Sequence, residues 1–147
     1  MLLEEISLIT TIQPWLTHAI GELGQAEVAG PGANPRIAEY LATVGQVGDD
    51  EIAWCSAYVN WCFTKASYLG TNKPNAKSWL DWGVSIPQPM FGCVSVFRRG
   101  TELWQGHVGF FLDQSPLGIY LLSGNVGNRV CISRQDPGTL IGHRWGY

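Results

Sequence analysis

The stretch IAWCSAYVNWCFTKASYLG, residues 52–70, decides the architecture. Trp54, Ala57, Tyr58, Trp61, Cys62 and Leu69 form a broad apolar band at helical spacing, and Gly70 follows as a stop signal. A band this wide leaves little polar face, so the segment from about Ile52 to Leu69 is expected to be a helix packed against a sheet. Upstream, Trp15, Leu16, Ala19, Ile20 and Leu23 predict a helix over Pro14 to Leu23, ended by Gly24. A Gly-, Ala- and Pro-rich loop covers Gly24 to Gly32. Asn34-Pro35 then supplies a cap and a proline at the first helical position, and Ile37, Tyr40, Leu41 and Val44 give a short amphipathic helix. A Gly-punctuated connection leads from Thr43 to the acidic cluster Asp49, Asp50 and Glu51.

Downstream the character changes. Ala76 to Trp82 predicts a helical turn, capped by Asn75 and closed by Gly83, and Pro87 and Pro89 mark a boundary. Five short runs rich in Val, Ile, Phe and Tyr follow: Gly92 to Phe97, Gly106 to Leu112, Gly118 to Ser123, Arg129 to Ser133 and Leu140 to Trp145. Turn formers such as Arg99-Gly100, Ser115 to Gly118 and Gly124-Asn125 separate them. The spacing leaves no room for crossover helices, so the sheet should be antiparallel. Helices first and strands second give an α+β fold, with N-terminal helices on a roughly five-stranded antiparallel sheet.

Composition bounds the function. The 147 residues are expected to form one domain, with 46% hydrophobic and 14% charged residues and seven Trp, which excludes intrinsic disorder. The net charge of −3, without a basic run, argues against nucleic acid or an anionic membrane surface as partner. No apolar run approaches the roughly 20 residues of a membrane helix. Met1 to Thr10 carries Glu4 and Glu5 where a secretory leader would carry Lys or Arg, so no cleaved signal is expected. Cys55, Cys62, Cys93 and Cys131 show no metal-ligand spacing. Cys55 and Cys62, on one helix and about 10 Å apart along its axis, cannot bond to each other. Cys62, Cys93 and Cys131 read as buried apolar residues, and Trp79, Trp82, Trp104 and Trp145 chiefly as core anchors.

Three features point to chemistry. Cys55 lies near the start of the apolar helix, where unpaired N–H groups favour a thiolate and can hold an oxyanion. His107, in Gly106-His107-Val108-Gly109, opens an otherwise apolar strand, and its flanking glycines permit the close approach of a backbone or ligand. An imidazole is what a thiol nucleophile needs as proton acceptor and donor. Asn125, in Ser123-Gly124-Asn125, ends the next strand, where an amide can orient the ring; taken alone, a Gly-Asn turn is the better explanation of it.

Together with these residues, several motifs carry a family resemblance. They are Trp54 to Cys62 (WCSAYVNWC), Ser78-Trp79-Leu80-x-Trp82-Gly83, Phe97-Arg98-Arg99-Gly100, Gly106 to Phe110, Gly124-Asn125 and Gly30 to Pro35. In this order, from about Trp15 to Trp145, the chain resembles the CHAP and NlpC/P60 superfamily of papain-like cysteine amidases and peptidases that cut bacterial cell-wall peptidoglycan. It is similar in particular to a compact phage- and bacterium-encoded group within that superfamily. The resemblance implies a papain-like fold, Cys55 as nucleophile, His107 as general base and acid, and Asn125 as the orienting residue. It also implies a peptidoglycan stem amide as substrate and a thioester intermediate. Many CHAP domains carry Gln where Trp54 stands and Glu where Ser123 stands, which makes Ser123 and Asn128 lesser candidates for the orienting role. Asp49, Asp50, Trp54 and Ser123 are the expected substrate contacts, with an aspartate taking a cationic group of the stem. The acidic cluster does not repeat a calcium loop, so neither metal nor cofactor is expected.

These expectations fit a phage lysin or an antibacterial toxin, made in the cytoplasm and acting in the periplasm or wall after lysis or secretion. A toxin would have a cognate immunity protein as partner. Two other classes compete: a non-catalytic wall or phage-structural module with the same fold, and a redox or metal-binding protein, which the cysteine spacing disfavours.

Overall fold

The computed structural model describes residues 12–28, 34–46 and 53–146. Helix α1 (Pro14–Gly21) ends two residues before Leu23, because the chain turns at 22–24 and Gly24 takes φ +94°. Helix α2 (Pro35–Ala42) starts as the sequence predicts: the Asn34 side chain accepts a hydrogen bond from the Arg36 N–H, and Pro35 holds the first position.

Helix α3 (Cys55–Lys65) is the central element, and all of its residues from Cys55 to Phe63 are buried. It is shorter than expected at its C-terminal end. Ser67 adopts φ +63° and the Tyr68 N–H returns to the Phe63 carbonyl at 2.8 Å, a six-to-one closure that stops the helix before Leu69. Leu69 is therefore no part of the buried band and is 80% exposed. Ile52, the expected first residue, lies outside the described residues. A 3-10 helix, rather than an α turn, covers Ala76–Asp81, and the Asn75 side chain does not cap it.

The sheet has six strands: β1 (Val84–Ile86), β2 (Val94–Arg98), β3 (Gly106–Ser115), β4 (Gly118–Val126), β5 (Arg129–Gln135) and β6 (Leu140–Trp145). Their order is β1-β6-β2-β3-β4-β5, and every pairing is antiparallel. The additional strand, β1, is only three residues long and occupies an edge beside β6.

Helix α3 lies across β3 and β4, with α1 and α2 packed on its other sides. Its aromatic residues weld these layers. Tyr58 donates its hydroxyl to the Ala19 carbonyl of α1, and Tyr40 of α2 stands edge-on to Tyr58 and Trp61. Val94, Val96, Val108, Phe110 and Leu122 complete this core from the sheet. Phe97, Phe111, Ile119, Leu121 and Cys93 form a second, smaller cluster.

The polar residues of α3 are equally fixed. Asn60, fully buried, accepts from the Asn72 N–H at 2.8 Å and donates to the Thr71 hydroxyl. Ser56 donates to the Lys73 carbonyl at 2.7 Å and accepts from the Trp79 indole. Together they tie residues 71–73 to the helix and so set the position of Pro74 to Ala76, one wall of the site. Among the described residues, no helix is long and apolar enough to cross a membrane.

Candidate active site

Cys55 is the first residue of α3, and Trp54 before it provides no side-chain cap, so the N–H groups of the first turn are left to other partners. The Cys55 sulfur is one of them: the Ser56 and Cys55 N–H groups face it, as does the N–H of Val108 on β3. The helix start and the strand that carries His107 thus converge at this sulfur. Its pKa is nonetheless raised above the ordinary thiol value. Burial pushes it up, and the Val108 N–H, the Arg99 guanidinium and the first-turn N–H groups only partly offset that. The helix start therefore does not by itself yield the thiolate that the sequence suggested, and Cys55 rests as a thiol.

His107 is buried on β3, opposite Phe97 of β2. Both ring nitrogens are engaged. Nε2 lies 2.9 Å from the Ser123 hydroxyl, and Nδ1 lies 3.2 Å from a guanidinium nitrogen of Arg99. Arginine only donates, so Nδ1 must be the acceptor and the proton must sit on Nε2, which donates to Ser123. Burial, and secondarily the Arg99 charge, pull the His107 pKa down to about 3. The imidazole is neutral at physiological pH, in the tautomer whose Nδ1 lone pair is the basic one. No hydrogen bond joins it directly to the Cys55 sulfur; that neighbourhood is shared by Arg99.

The glycines around His107 and Ser123 have a steric reason. A Cβ on Gly109 would stand 2.6 Å from the Ser123 Cβ, so only glycine lets β4 bring the serine up to the ring. A Cβ on Gly124 would stand 2.6 Å from the Trp54 indole, so glycine also lets α3 settle on β4. The close approach that the sequence foresaw around His107 is therefore to a backbone and its serine.

A cleft of about 640 Å³ opens over the thiol. Cys55, Asn125, Arg99, Trp104 and Pro74 to Ala76 line it, and among the described residues Arg99 is the one charged side chain on its walls. Trp104 is 72% exposed, unlike the buried Trp79 and the partly buried Trp82 and Trp145. It is the tryptophan that departs from the core-anchor reading.

A family model, the CHAP domain, matches residues 47–125, more than half of the chain. The chain belongs to the CHAP family. This family comprises peptidoglycan hydrolases, typically amidases and peptidases, in agreement with the sequence motifs. The fold of this CHAP domain is that of an NLP/P60-family protein, similar to lipoprotein, from Staphylococcus aureus subsp. aureus Mu50, with TM-score 0.56 and 18% identity. The likeness covers 92% of this chain and 41% of that one, so the CHAP domain spans less than half of that protein's length. No curated protein matches the chain. The papain-like α+β architecture and the CHAP/NlpC-P60 superfamily are thereby established, with six strands in place of the five expected.

The expected site residues fall into three groups. Cys55 and Asn125 share the cleft, and His107 lies beside the strand residue whose N–H meets the thiol. Ser123 and Trp54 are not among the residues that line the cleft. Ser123 is fully buried and its hydroxyl is engaged by His107. Trp54 is also fully buried, its ring tilted against Tyr40 and its indole N–H donated to Glu27 at 2.8 Å. Asp49 and Asp50 lie outside the described residues. Asn125 takes φ +62° at the cleft and does not bond to His107, whose ring is held instead between Ser123 and Arg99. Arg99 belongs to a motif visible in the sequence, yet nothing there assigned it to the imidazole. All four cysteines are free, and no group of three or more metal-binding side chains occurs among the described residues.

Proposed function

We propose that this CHAP domain hydrolyses an amide bond in the peptide stem of peptidoglycan, with Cys55 as nucleophile, His107 as general base and acid, and Ser123 holding the ring. The observation that carries the reading is the convergence of a helix-start cysteine, the strand of a buried histidine and an open cleft. In the first step His107 Nδ1 takes the thiol proton while the sulfur attacks the amide carbon. The carbonyl oxygen gains negative charge, for which first-turn N–H groups of α3 are the nearest donors. The tetrahedral intermediate then expels the amine, which leaves with the proton returned from Nδ1. The thioester on Cys55 is hydrolysed by water activated at the same nitrogen. Nε2–H stays bonded to Ser123 throughout, which keeps the basic lone pair on Nδ1.

Asn125 faces the same cleft and is assigned to contact with the substrate or to a supporting part in catalysis. Asp49 and Asp50 are proposed to take a cationic stem group. The biological setting proposed is a phage lysin or an antibacterial toxin, reaching the periplasm or wall by lysis or secretion, with an immunity protein as partner in the toxin case. Digestion of purified sacculi, with mass analysis of the released muropeptides, tests the reading. New amine and carboxyl ends at one stem bond, lost in Cys55→Ala, are expected. A folded wild-type protein that releases nothing from any wall type would favour a non-catalytic module instead.

A further inference from the structure

The contact between Arg99 and His107 poses a problem for the proposed chemistry. Nδ1 is the nitrogen that must accept the thiol proton, and the Arg99 guanidinium occupies it at 3.2 Å. An imidazole lone pair that accepts a hydrogen bond from a permanent cation is a poor base, and the Arg99 charge adds to burial, the larger cause, in holding the His107 pKa down. For the base to work, the guanidinium must leave.

Three observations indicate what draws it away. Arg99 is an exposed residue just past the end of β2 and before Gly100, and its side chain already borders the cleft. Among the described residues it is the one charged side chain on the cleft walls. It also has no carboxylate within ion-pair distance among the described residues, where both ion pairs found belong to Arg36. A planar guanidinium that faces a cleft is a receptor for a carboxylate, which it binds through two parallel hydrogen bonds. Such a pair is stronger than the charge–neutral contact to an imidazole, so the exchange runs towards the anion.

We propose that Arg99 is the carboxylate receptor of the cleft, and that its transfer from His107 Nδ1 to a carboxylate of the bound peptide releases the base beside Cys55. The inference rests on the peptidoglycan reading for its natural substrate, since stem peptides carry free carboxylates next to their amide bonds. The enzyme would thereby remain idle until an anionic peptide fills the cleft. Arg99 is a positioning and specificity residue in this scheme. It contributes no proton to the reaction: the thiol proton goes to the vacated Nδ1, and the guanidinium keeps its charge throughout.

Two paired measurements on the full chain test it. The first needs no peptidoglycan. Iodoacetate and iodoacetamide alkylate a thiol by the same displacement, in which sulfur replaces iodide, and they differ in a carboxylate against a carboxamide. The ratio of their rates at Cys55, divided by the same ratio for a free cysteine peptide, should favour iodoacetate by about tenfold, the size of one charge-assisted hydrogen-bonded pair. Arg99→Gln should bring that normalised ratio close to one, and Arg99→Lys should retain an intermediate preference. The second compares kcat/KM for a stem peptide with free α-carboxylates and its α-carboxamide analogue. Wild type should prefer the carboxylate, mainly in kcat because the base is released, and Arg99→Gln should lose the discrimination.

A normalised alkylation ratio near one in wild type, or one left unchanged by Arg99→Gln, overturns the proposal. So does a failure of Cys55 to react with either reagent. If the alkylation preference holds and vanishes with Arg99 while no stem peptide is cleaved, the carboxylate receptor stands and the peptidoglycan reading falls. Circular dichroism confirms the fold of each variant, and Arg99 is exposed, so its replacement leaves the core intact.

Discussion

Ser123→Ala removes the one hydroxyl that holds the His107 ring, and its consequences can be worked from the site. Ser123 is fully buried, and its Oγ accepts from Nε2 at 2.9 Å. In the alanine variant Nε2–H keeps its proton but loses its acceptor, in a place too enclosed for easy access of water. An unsatisfied buried donor costs about 1–3 kcal/mol, and that is the expected loss of unfolding free energy in urea. The ring can escape part of this cost by moving its proton to Nδ1 or by rotating, and either response takes the basic lone pair away from its position in the intact site. Misplacement of a catalytic group on this scale lowers kcat by roughly a hundredfold. KM should change little, because Ser123 does not reach the cleft.

Asn125→Ala should behave in the opposite way, since Asn125 lines the cleft and has no bond to the ring. Its effect is expected chiefly in KM, with stability nearly unchanged. Steady-state kinetics on a defined muropeptide, urea titration and the 15N shifts of the His107 ring read the three quantities separately. Retention of full activity and stability in Ser123→Ala, with a hundredfold loss of kcat in Asn125→Ala, would refute the reasoning and restore Asn125 as the orienting residue.

The depressed pKa of His107 makes stability acid-sensitive. Its folded value of about 3 lies below the 6.5 of an unfolded histidine, so the unfolded chain binds the extra proton between these values and stability falls as pH drops through that window. The slope is about 1.4 kcal/mol per pH step from this group alone, readable by urea unfolding at about pH 7 and pH 4.5 and flattened in His107→Gln. His143, whose pKa burial also lowers, acts in the same direction. Gly124→Ala places a methyl group 2.6 Å from the Trp54 indole and 2.9 Å from the Tyr58 Cβ, and this overpacking should cost about 1–3 kcal/mol and lower the melting temperature. Cys62→Ala, by contrast, should keep full hydrolytic activity with a modest loss of stability. Cys62 is fully buried in the core, and a folded but inactive variant would mean that the nucleophile is misassigned.

The sequence was most legible where a local signal had no competitor. Asn34-Pro35 placed the start of α2, and the short run Leu140 to Trp145, set off by Pro137-Gly138, matches β6 at its observed bounds. It was least legible where a tertiary contact decides. β1 is three residues between Gly83 and Pro87, too short to show alternation, and it is a strand because β6 lies beside it. The end of α3 depends on a left-handed Ser67, a conformation not signalled by residue type as glycine would signal it. Trp54 reads as a substrate contact from its place beside Cys55, yet Gly124 and Glu27, distant in sequence, draw it inward. The choice between Ser123 and Asn125 turns on the register irregularity between Ser123 and Val126, which breaks the two-residue alternation that would have given both residues the same neighbours. Arg99 stood within a visible motif, but only the β2–β3 hairpin register brings it to the imidazole.

The joint action of Cys55 and His107 is tested most directly by acid quenching during turnover of a muropeptide, followed by intact-protein and peptide mass analysis. A transient adduct equal in mass to the acyl half of the substrate is predicted, mapped to Cys55 and missing in His107→Ala. An adduct on another cysteine, or hydrolysis that persists in Cys55→Ala, would contradict the account.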